Sequence, residues 1–205
     1  STTIGAHACE RPHGSDLRLG RRPLLVTGGA VLTTTLAGCV GGGGGGEHSV
    51  VPDPVDIGPG VQCDVCGMVI ANHPGPNGEL FYRDQSPAGH DNPARFDALK
   101  GCLFPYYFEK ERLDWTLSVG YVTDYSKVNY TVQTQGDDRY ISSHIDAAGF
   151  AEMTGLSYVV GSEVQGAMGP DFIPFSASSD AEGFAAEYGG DVIAFEDIGP
   201  ELLGG

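Results

Sequence analysis

The alternation of apolar and polar positions after residue 60 predicts an α+β fold built from two similar units. The first unit covers residues 61–125. Its pattern predicts strands over residues 67–70 and 80–82, a helix from residue 92 to about 108, and a strand over 115–125. Pro93 is placed to open the helix, and Pro105 is expected to end or kink it.

The second unit, residues 156–198, repeats the same order of elements. Strands are predicted over 157–160 and 172–175, and Pro174 favours an edge position for the latter. Ser178 or Ser179 is expected to cap a helix that ends at Gly189-Gly190, before a closing strand over 191–195. Each unit is therefore predicted as a ββαβ arrangement.

The first 39 residues have the pattern of an export signal. Arg21-Arg22 precedes an apolar run that ends in Leu36-Ala37-Gly38-Cys39. Paired arginines favour the twin-arginine route, and small residues before a cysteine are typical of a lipoprotein signal. We therefore expect cleavage to leave Cys39 as a lipid-modified residue; the alternative is a chance cysteine after an ordinary cleavage site.

A segment rich in glycine and proline, residues 40–60, follows this signal. Gly41–Gly46 is a run of six glycines, which predicts a flexible tether. Together with Cys39, it predicts an extracytoplasmic protein that is lipid-anchored to the outer face of the cell membrane. No stretch after the signal is apolar and long enough to span a bilayer.

The chain is strongly acidic. Its formal net charge is -16, and the part after residue 39 carries 25 acidic against 7 basic residues, a net of -18. Such a surface repels nucleic acid, so nucleic-acid binding is excluded. We interpret the excess of carboxylates as adaptation to high salt, which predicts a halophilic, haloarchaeal source.

Three sulfur atoms lie within six residues in Cys63-Asp64-Val65-Cys66-Gly67-Met68. Thiolates and thioethers are soft donors that suit Cu(I), and Gly67 allows a sharp turn between Cys66 and Met68. The spacing alone is equally compatible with a structural zinc site, and it also allows a redox dithiol or a structural disulfide.

The remaining methionines favour copper. Met168 lies between glycines in a loop, where a side chain is better placed as an exposed ligand than as part of the core. Met153 is expected to pack in the core. Among the histidines, His73 follows the sulfur residues most closely and is the best candidate for a nitrogen ligand.

Several motifs, taken in order, resemble those of the NosL family. They are Cys66-Gly67-Met68, His73-Pro74-Gly75, Phe96-Asp97, Tyr121-Val122-Thr123-Asp124, Tyr158-Val159-Val160-Gly161-Ser162, Met168-Gly169, Pro174-Phe175 and Gly189-Gly190. The resemblance covers most of residues 61–198. It implies a copper-binding domain over about 61–200, with a fold of two related ββαβ units distantly like organomercurial lyase.

The resemblance also implies a function. It implies a chaperone, not an enzyme, that binds Cu(I) and delivers it for assembly of the copper–sulfur cluster of nitrous oxide reductase. The implied partners are a membrane-bound ABC-type transporter complex and its extracytoplasmic partner protein. The implied ligands are Cys66 and Met168, with Met68 close by. Cys63 and His73 are this sequence's own candidates to complete the site, and Cys102 is interpreted as a core residue. The alternatives are a surface thiol redox protein and a structural zinc-binding interaction domain, both using Cys63 and Cys66.

Overall fold

The computed structural model describes residues 50–204, which form a mixed α+β fold with few helices. Within that range the strands are β1 (Gly78–Tyr82), β2 (Ala94–Phe96), β3 (Leu117–Thr123), β4 (Val132–Gln135), β5 (Asp138–Ile141), β6 (Phe150–Glu152), β7 (Ser157–Val160), β8 (Val164–Gly166), β9 (Gly169–Pro170), β10 (Ile173–Phe175) and β11 (Asp191–Ala194). The α-helices are α1 (Phe104–Arg112) and α2 (Ser178–Tyr188). The signal segment and the glycine run lie outside the described residues. No helix between residues 50 and 204 is long and apolar enough to cross a membrane.

The strands form three sheets. The first has the order β2-β1-β3-β6 and the second β10-β7-β11, with all neighbours antiparallel. The third has the order β4-β5-β8-β9, in which β5 and β8 are parallel. In the first sheet β1 lies between β2 and β3, and in the second β7 lies between β10 and β11. Helix α1 precedes β3, and helix α2 precedes β11. In the groups β2-β1-β3 and β10-β7-β11, the strand that comes first in the sequence lies in the middle.

Strand β7 separates two apolar cores. Neighbouring side chains of a strand point to opposite faces. Tyr158 belongs to the larger core, which also contains Phe96 and Phe104, whereas Val159 belongs to a smaller core under α2. The Tyr158 hydroxyl donates a 2.7 Å hydrogen bond to the carbonyl oxygen of Met153, which is fully buried, so the prediction of a core position for Met153 is confirmed.

Most of the second half follows the sequence prediction. The expected strands occur as β7, β10 and β11, and β10 lies at a sheet edge. Helix α2 ends at Tyr188, and Gly189 caps its C-terminus. The predicted N-terminal serine cap is wrong: Ala177 occupies the N-cap position and makes no side-chain cap hydrogen bond.

The first helix was predicted too early. The segment expected to open it forms β2, after a cis bond between Asn92 and Pro93. The Asn92 side chain donates to the carbonyl oxygens of Tyr82 and Gln85, which ties it to the end of β1. Helix α1 instead begins around Pro105, directly after the π-helical segment Leu99–Leu103. The prediction that Pro105 ends the helix is therefore wrong.

The strand predicted over residues 67–70 is also wrong. Only an isolated bridge between Gln62 and Val69 forms there, followed by a 3₁₀ turn over Ile70–Asn72. The backbone of Gly67 and Met68 makes hydrogen bonds within the cysteine turn described below.

Residues 52–57 form an arm that is hydrogen-bonded to the first sheet and to the segment between β5 and β6. The Tyr121 hydroxyl donates to the Pro52 carbonyl oxygen at 2.9 Å, and the Val55 N–H donates to Glu79 Oε2 at 3.1 Å. The Ile57 N–H donates to the carbonyl oxygen of Ile145 at 2.9 Å. The tether predicted over 40–60 is thus bound to the fold in its last part, and the part before residue 50 lies outside the described residues.

Candidate metal centre

Residues 63–68, here called the cysteine turn, fold back through two backbone hydrogen bonds. The Cys63 N–H donates to the Met68 carbonyl oxygen at 2.8 Å, and the Gly67 N–H donates to the Cys63 carbonyl oxygen at 3.0 Å. Gly67 has a φ of 75°, a backbone conformation that residues with a Cβ rarely adopt. The turn therefore depends on a glycine directly after Cys66.

Asp64 attaches this turn to β2. Its backbone N–H donates to the Arg95 carbonyl oxygen at 2.9 Å, and its carboxylate accepts the Arg95 N–H at 2.7 Å. The other carboxylate oxygen lies 2.7 Å from Nε2 of His90. These bonds fix the cysteine turn beside the strand that leads into Asp97.

The structure brings four potential ligand atoms together. The sulfur atoms of Cys63, Cys66 and Cys102 and a carboxylate oxygen of Asp97 all lie within 4.8 Å of one another; we call this group the sulfur cluster. Cys102 comes from the π-helical segment Leu99–Leu103 that precedes α1. All three cysteines are free thiols. Cys66 is half-buried, whereas the other members are buried, so Cys66 is the member nearest to solvent.

Cys63 is the most acidic thiol of the cluster. Its pKa is lowered to about 7, first because the Cys102 thiol donates a hydrogen bond to its sulfur. Burial opposes this effect, and the backbone N–H groups of Cys66, Asp97 and Val65, which also hydrogen-bond to the sulfur, lower the pKa further. The same Cys63–Cys102 hydrogen bond raises the pKa of Cys102. The local backbone therefore favours a thiolate at Cys63.

The thiol of Cys66 is less acidic than an ordinary cysteine, because its pKa is raised. Burial raises the pKa of its thiol to about 11, and the neighbouring Cys63 and Asp97 add to the increase. Its S–H group faces both carboxylate oxygens of Asp97, each at 3.3 Å. Without a cation this thiol is protonated, so a metal ion that binds it must displace a proton.

Met168 lies next to the segment that carries Cys102. The residue is 51% exposed, and its side chain packs on Gly101: a Cβ placed on Gly101 would lie 3.1 Å from Met168 Cβ and 3.3 Å from its Cγ. The sequence prediction named Cys66 and Met168 as ligands from separate stretches of chain, and the structure brings the loop of Met168 to the residue before Cys102.

Asp171 positions residues 166–170 around Met168, here called the methionine loop. Its carboxylate is buried and accepts the backbone N–H groups of Leu99, at 3.1 Å, and Lys100, at 2.7 Å. Both donors belong to the π-helical segment. Asp171 lies three residues after Met168, so these bonds connect the second half of the fold to the segment of Cys102.

The other two predicted ligands lie near this region without joining the sulfur cluster. Met68 closes the cysteine turn and is half-buried. His73 follows the 3₁₀ turn and is not among the mutually close His, Cys, Asp and Glu atoms found in residues 50–204. The loop of His73 does approach the methionine loop, since a Cβ on Gly75 would lie 2.6 Å from Gly166 Cα.

Comparison with known proteins identifies the family. The NosL family model matches residues 54–203, a range that contains the cysteine turn, Asp97, Cys102 and Met168. The chain belongs to the NosL family. The resemblance noted in the sequence is thereby confirmed.

Two curated NosL proteins are similar to this chain. The copper-binding lipoprotein NosL of Stutzerimonas stutzeri is 32% identical over 151 residues, which cover 74% of this chain and 68% of the relative. The copper-binding lipoprotein NosL of Achromobacter cycloclastes is also 32% identical over 151 residues, covering 73% and 68%. Their names describe a lipoprotein that binds copper.

A solved NosL structure has a similar fold. The crystal structure of the copper chaperone NosL from Shewanella denitrificans matches with a TM-score of 0.58 and 28% identity, and the match covers 71% of this chain and 94% of that one. The match supports the mixed α+β arrangement described above.

Two members of the sulfur cluster were not predicted as site residues. Phe96-Asp97 counts among the NosL motifs, but a buried aspartate has no sequence signal that separates a metal-facing role from a structural one. Cys102 was interpreted as a core residue; it is fully buried, and its sulfur also faces Cys63. The signal that could have found it is the total of three cysteines after residue 39.

Proposed function

We propose that this NosL-family chain carries one Cu(I) ion on Cys66, Met68 and Met168 and transfers it to a partner protein. The observation that carries the proposal is the packing of Met168 on Gly101, the residue before Cys102 of the sulfur cluster. Copper appears in the names of both curated relatives and of the solved NosL structure.

The donor set suits Cu(I) and its release. Cys66 provides a thiolate, which binds soft metals strongly, while thioethers select the same ion. Cys66 is half-buried and Met168 is exposed, so a partner's ligands can reach the ion from the solvent side. We call the site formed by Cys66, Met68 and Met168 the outer position. His73 is retained as a candidate additional ligand, and Cys63 is considered further below.

The proposed cellular role follows the family. The ion is delivered for assembly of the copper–sulfur cluster of nitrous oxide reductase, through an ABC-type transporter complex and its extracytoplasmic partner protein. The chain acts there as a carrier without catalytic activity, anchored by a lipid at Cys39 outside the cell membrane of a halophilic organism. The equivalent strand orders of the two halves support an origin from one repeated ββαβ unit, and the likeness to organomercurial lyase stays a prediction.

A competition titration tests the outer position. The reduced protein is titrated with Cu(I) against a chromogenic Cu(I) chelator, and Cys66→Ser or Met168→Ala should each weaken binding at least about tenfold, or ~1.4 kcal/mol. Leu113→Ala is the matched control, since Leu113 is another exposed apolar side chain, at the end of α1. Unchanged affinity in both site variants would remove the assignment.

A structural zinc site is the second candidate, because three thiols and one carboxylate can form a closed four-ligand site. Metal analysis of protein prepared under reducing conditions distinguishes the two. Stoichiometric zinc that leaves only on unfolding would favour this alternative, whereas a stable metal-free fold that takes up Cu(I) would exclude it.

A further inference from the structure

The outer position leaves two thiols of the sulfur cluster without a role. Cys63 is 4% exposed and Cys102 is fully buried, and neither is joined in a disulfide. Both sulfur atoms lie within 4.8 Å of Cys66 Sγ. Two buried thiols beside a proposed copper ligand require an explanation beyond core packing.

We propose that Cys63, Cys66 and Cys102 form a second, inner position for Cu(I), with Cys66 shared between the two positions. This inference rests on the proposed function, since the same ion is carried. The inner position binds through three thiolates, whereas the outer position combines one thiolate with two thioethers. The chain then binds copper at two positions: the outer one releases its ion to a partner, and the inner one retains it.

The geometry fits three sulfur ligands. A bond from a thiolate to a d¹⁰ metal such as zinc is about 2.3 Å, and three sulfurs placed evenly around an ion at that distance lie roughly 4 Å apart. The three cysteine sulfurs lie near that spacing, because all are within 4.8 Å of one another. Sulfur donors select a soft ion such as Cu(I).

The backbone around Cys63 already accommodates negative charge on one of the three sulfurs. The backbone N–H groups of Val65, Cys66 and Asp97 hydrogen-bond to the Cys63 sulfur. Such hydrogen bonds stabilise and orient a thiolate ligand. Asp97 accepts the Cys66 S–H, with both oxygens 3.3 Å from Sγ, and so orients the shared ligand before the ion binds. As a hard donor, its carboxylate is a positioning group here and not a ligand of Cu(I).

Burial sets the order in which the ion moves. Cys63 and Cys102 are shielded by the protein, so an ion reaches them only after it has bound Cys66. Transfer inward exchanges the thioethers for two thiolates while the bond to Cys66 persists. Each thiol that binds releases its proton to solvent, and copper stays Cu(I) throughout, so the step requires no oxidant or reductant.

The test combines X-ray absorption and copper retention on the reduced full chain. At half an equivalent of Cu(I), the wild-type spectrum should show three sulfur neighbours at one short distance. Addition of more Cu(I) should reach a stoichiometry of two ions per chain. Cys102→Ala and Cys63→Ala should each bind only one ion and release it to the chelator at least about tenfold faster.

Three outcomes overturn the inner position. They are wild-type stoichiometry and release rate in both alanine variants, a wild-type spectrum with a single thiolate at low loading, or zinc that occupies the cysteines and excludes copper. Circular dichroism of the metal-free variants checks folding; if either variant does not fold, the wild-type spectrum and stoichiometry decide alone. A wild-type chain that binds no Cu(I) contradicts the proposed function itself, whereas one ion bound at the outer position contradicts only this inference.

Discussion

The carboxylate of Asp171 accepts a 2.7 Å hydrogen bond from the backbone N–H of Lys100, and this bond joins the two halves of the fold beside the sulfur cluster. The same carboxylate also accepts the N–H groups of Leu99 and Phe172. A residue that is not itself a proposed ligand thereby sets how the methionine loop meets the π-helical segment. Its substitution should affect both the stability of the fold and the metal centre.

We expect Asp171→Asn to lower the free energy of unfolding by about 2–3 kcal/mol, because an amide places a donor against N–H groups that need an acceptor. Burial raises the pKa of Asp171 to about 7, so urea unfolding at pH 8 compares the ionised carboxylate with the amide. Asp137→Asn, at an exposed turn position, is the control. Equal stability of the two variants would contradict the proposed linkage.

Glu79 should make the stability of the protein depend on pH. It is fully buried under the arm, and burial raises its pKa to about 7, opposed by the Val55 N–H and the charge of Arg95. The folded-state pKa of Glu79 lies above the unfolded value of about 4.3. The contribution of protonated Glu79 to the free energy of unfolding is therefore fully present below a pH of about 4.3 and is lost as the pH rises to about 7. Between these limits the loss approaches about 1.4 kcal/mol per pH unit.

Glu79→Gln isolates this contribution, since glutamine carries no proton to lose. Urea unfolding from pH 4 to pH 8 should show the variant gaining stability relative to the wild type as the pH rises. Parallel curves for the two proteins would show that Glu79 does not titrate with a raised pKa.

Gly101→Ala should weaken copper binding while leaving the fold intact. The new Cβ would lie 3.1 Å from Met168 Cβ, so the methionine must shift by a few tenths of an ångström. We expect the Cu(I) affinity to fall about fivefold, or ~1 kcal/mol. Gly101 is exposed, so the unfolding free energy should change by less than about 0.5 kcal/mol. Chelator competition and urea unfolding measure the two quantities, and an unchanged affinity would argue against a role for Met168.

Gly183→Ala is the matched glycine substitution and carries its own expectation. Gly183 is exposed within α2, and a Cβ placed there meets no atom within 4 Å. Alanine should stabilise the protein by about 0.5–1 kcal/mol, because glycine loses more backbone freedom in a helix. Copper affinity should be unaffected. A loss of stability in thermal unfolding would show that the helix surface is not free at this position.

Elements with strong local signals could be predicted from the sequence. The apolar run of β7 and the glycine after Tyr188 predict a strand and the end of a helix in the second half, and both occur there. The start of α1 could not be predicted in the same way, because Pro93 and Pro105 both suit a first helical turn and only tertiary contacts decide between them. The side chain of Asn92, bonded to the end of β1, is such a contact.

The candidate site was predictable in part for a similar reason. The spacing of Cys63, Cys66 and Met68 and the exposed position of Met168 carry chemical information by themselves. Cys102 and Asp97 join the site only through packing of the π-helical segment and β2 against the cysteine turn. A buried cysteine in an apolar stretch has the same sequence pattern whether its sulfur faces a core or a metal.

The arm of residues 52–57 determines where a mechanical load on the preceding chain would enter the domain. Tension from that side reaches the bonds of Pro52 with Tyr121 and of Val55 with Glu79 before it reaches Cys63. The first sheet would absorb the pull, and the cysteine turn would keep its shape. If the chain is anchored through Cys39 as proposed, it could then be displaced or reoriented during docking while the cysteine turn keeps its shape.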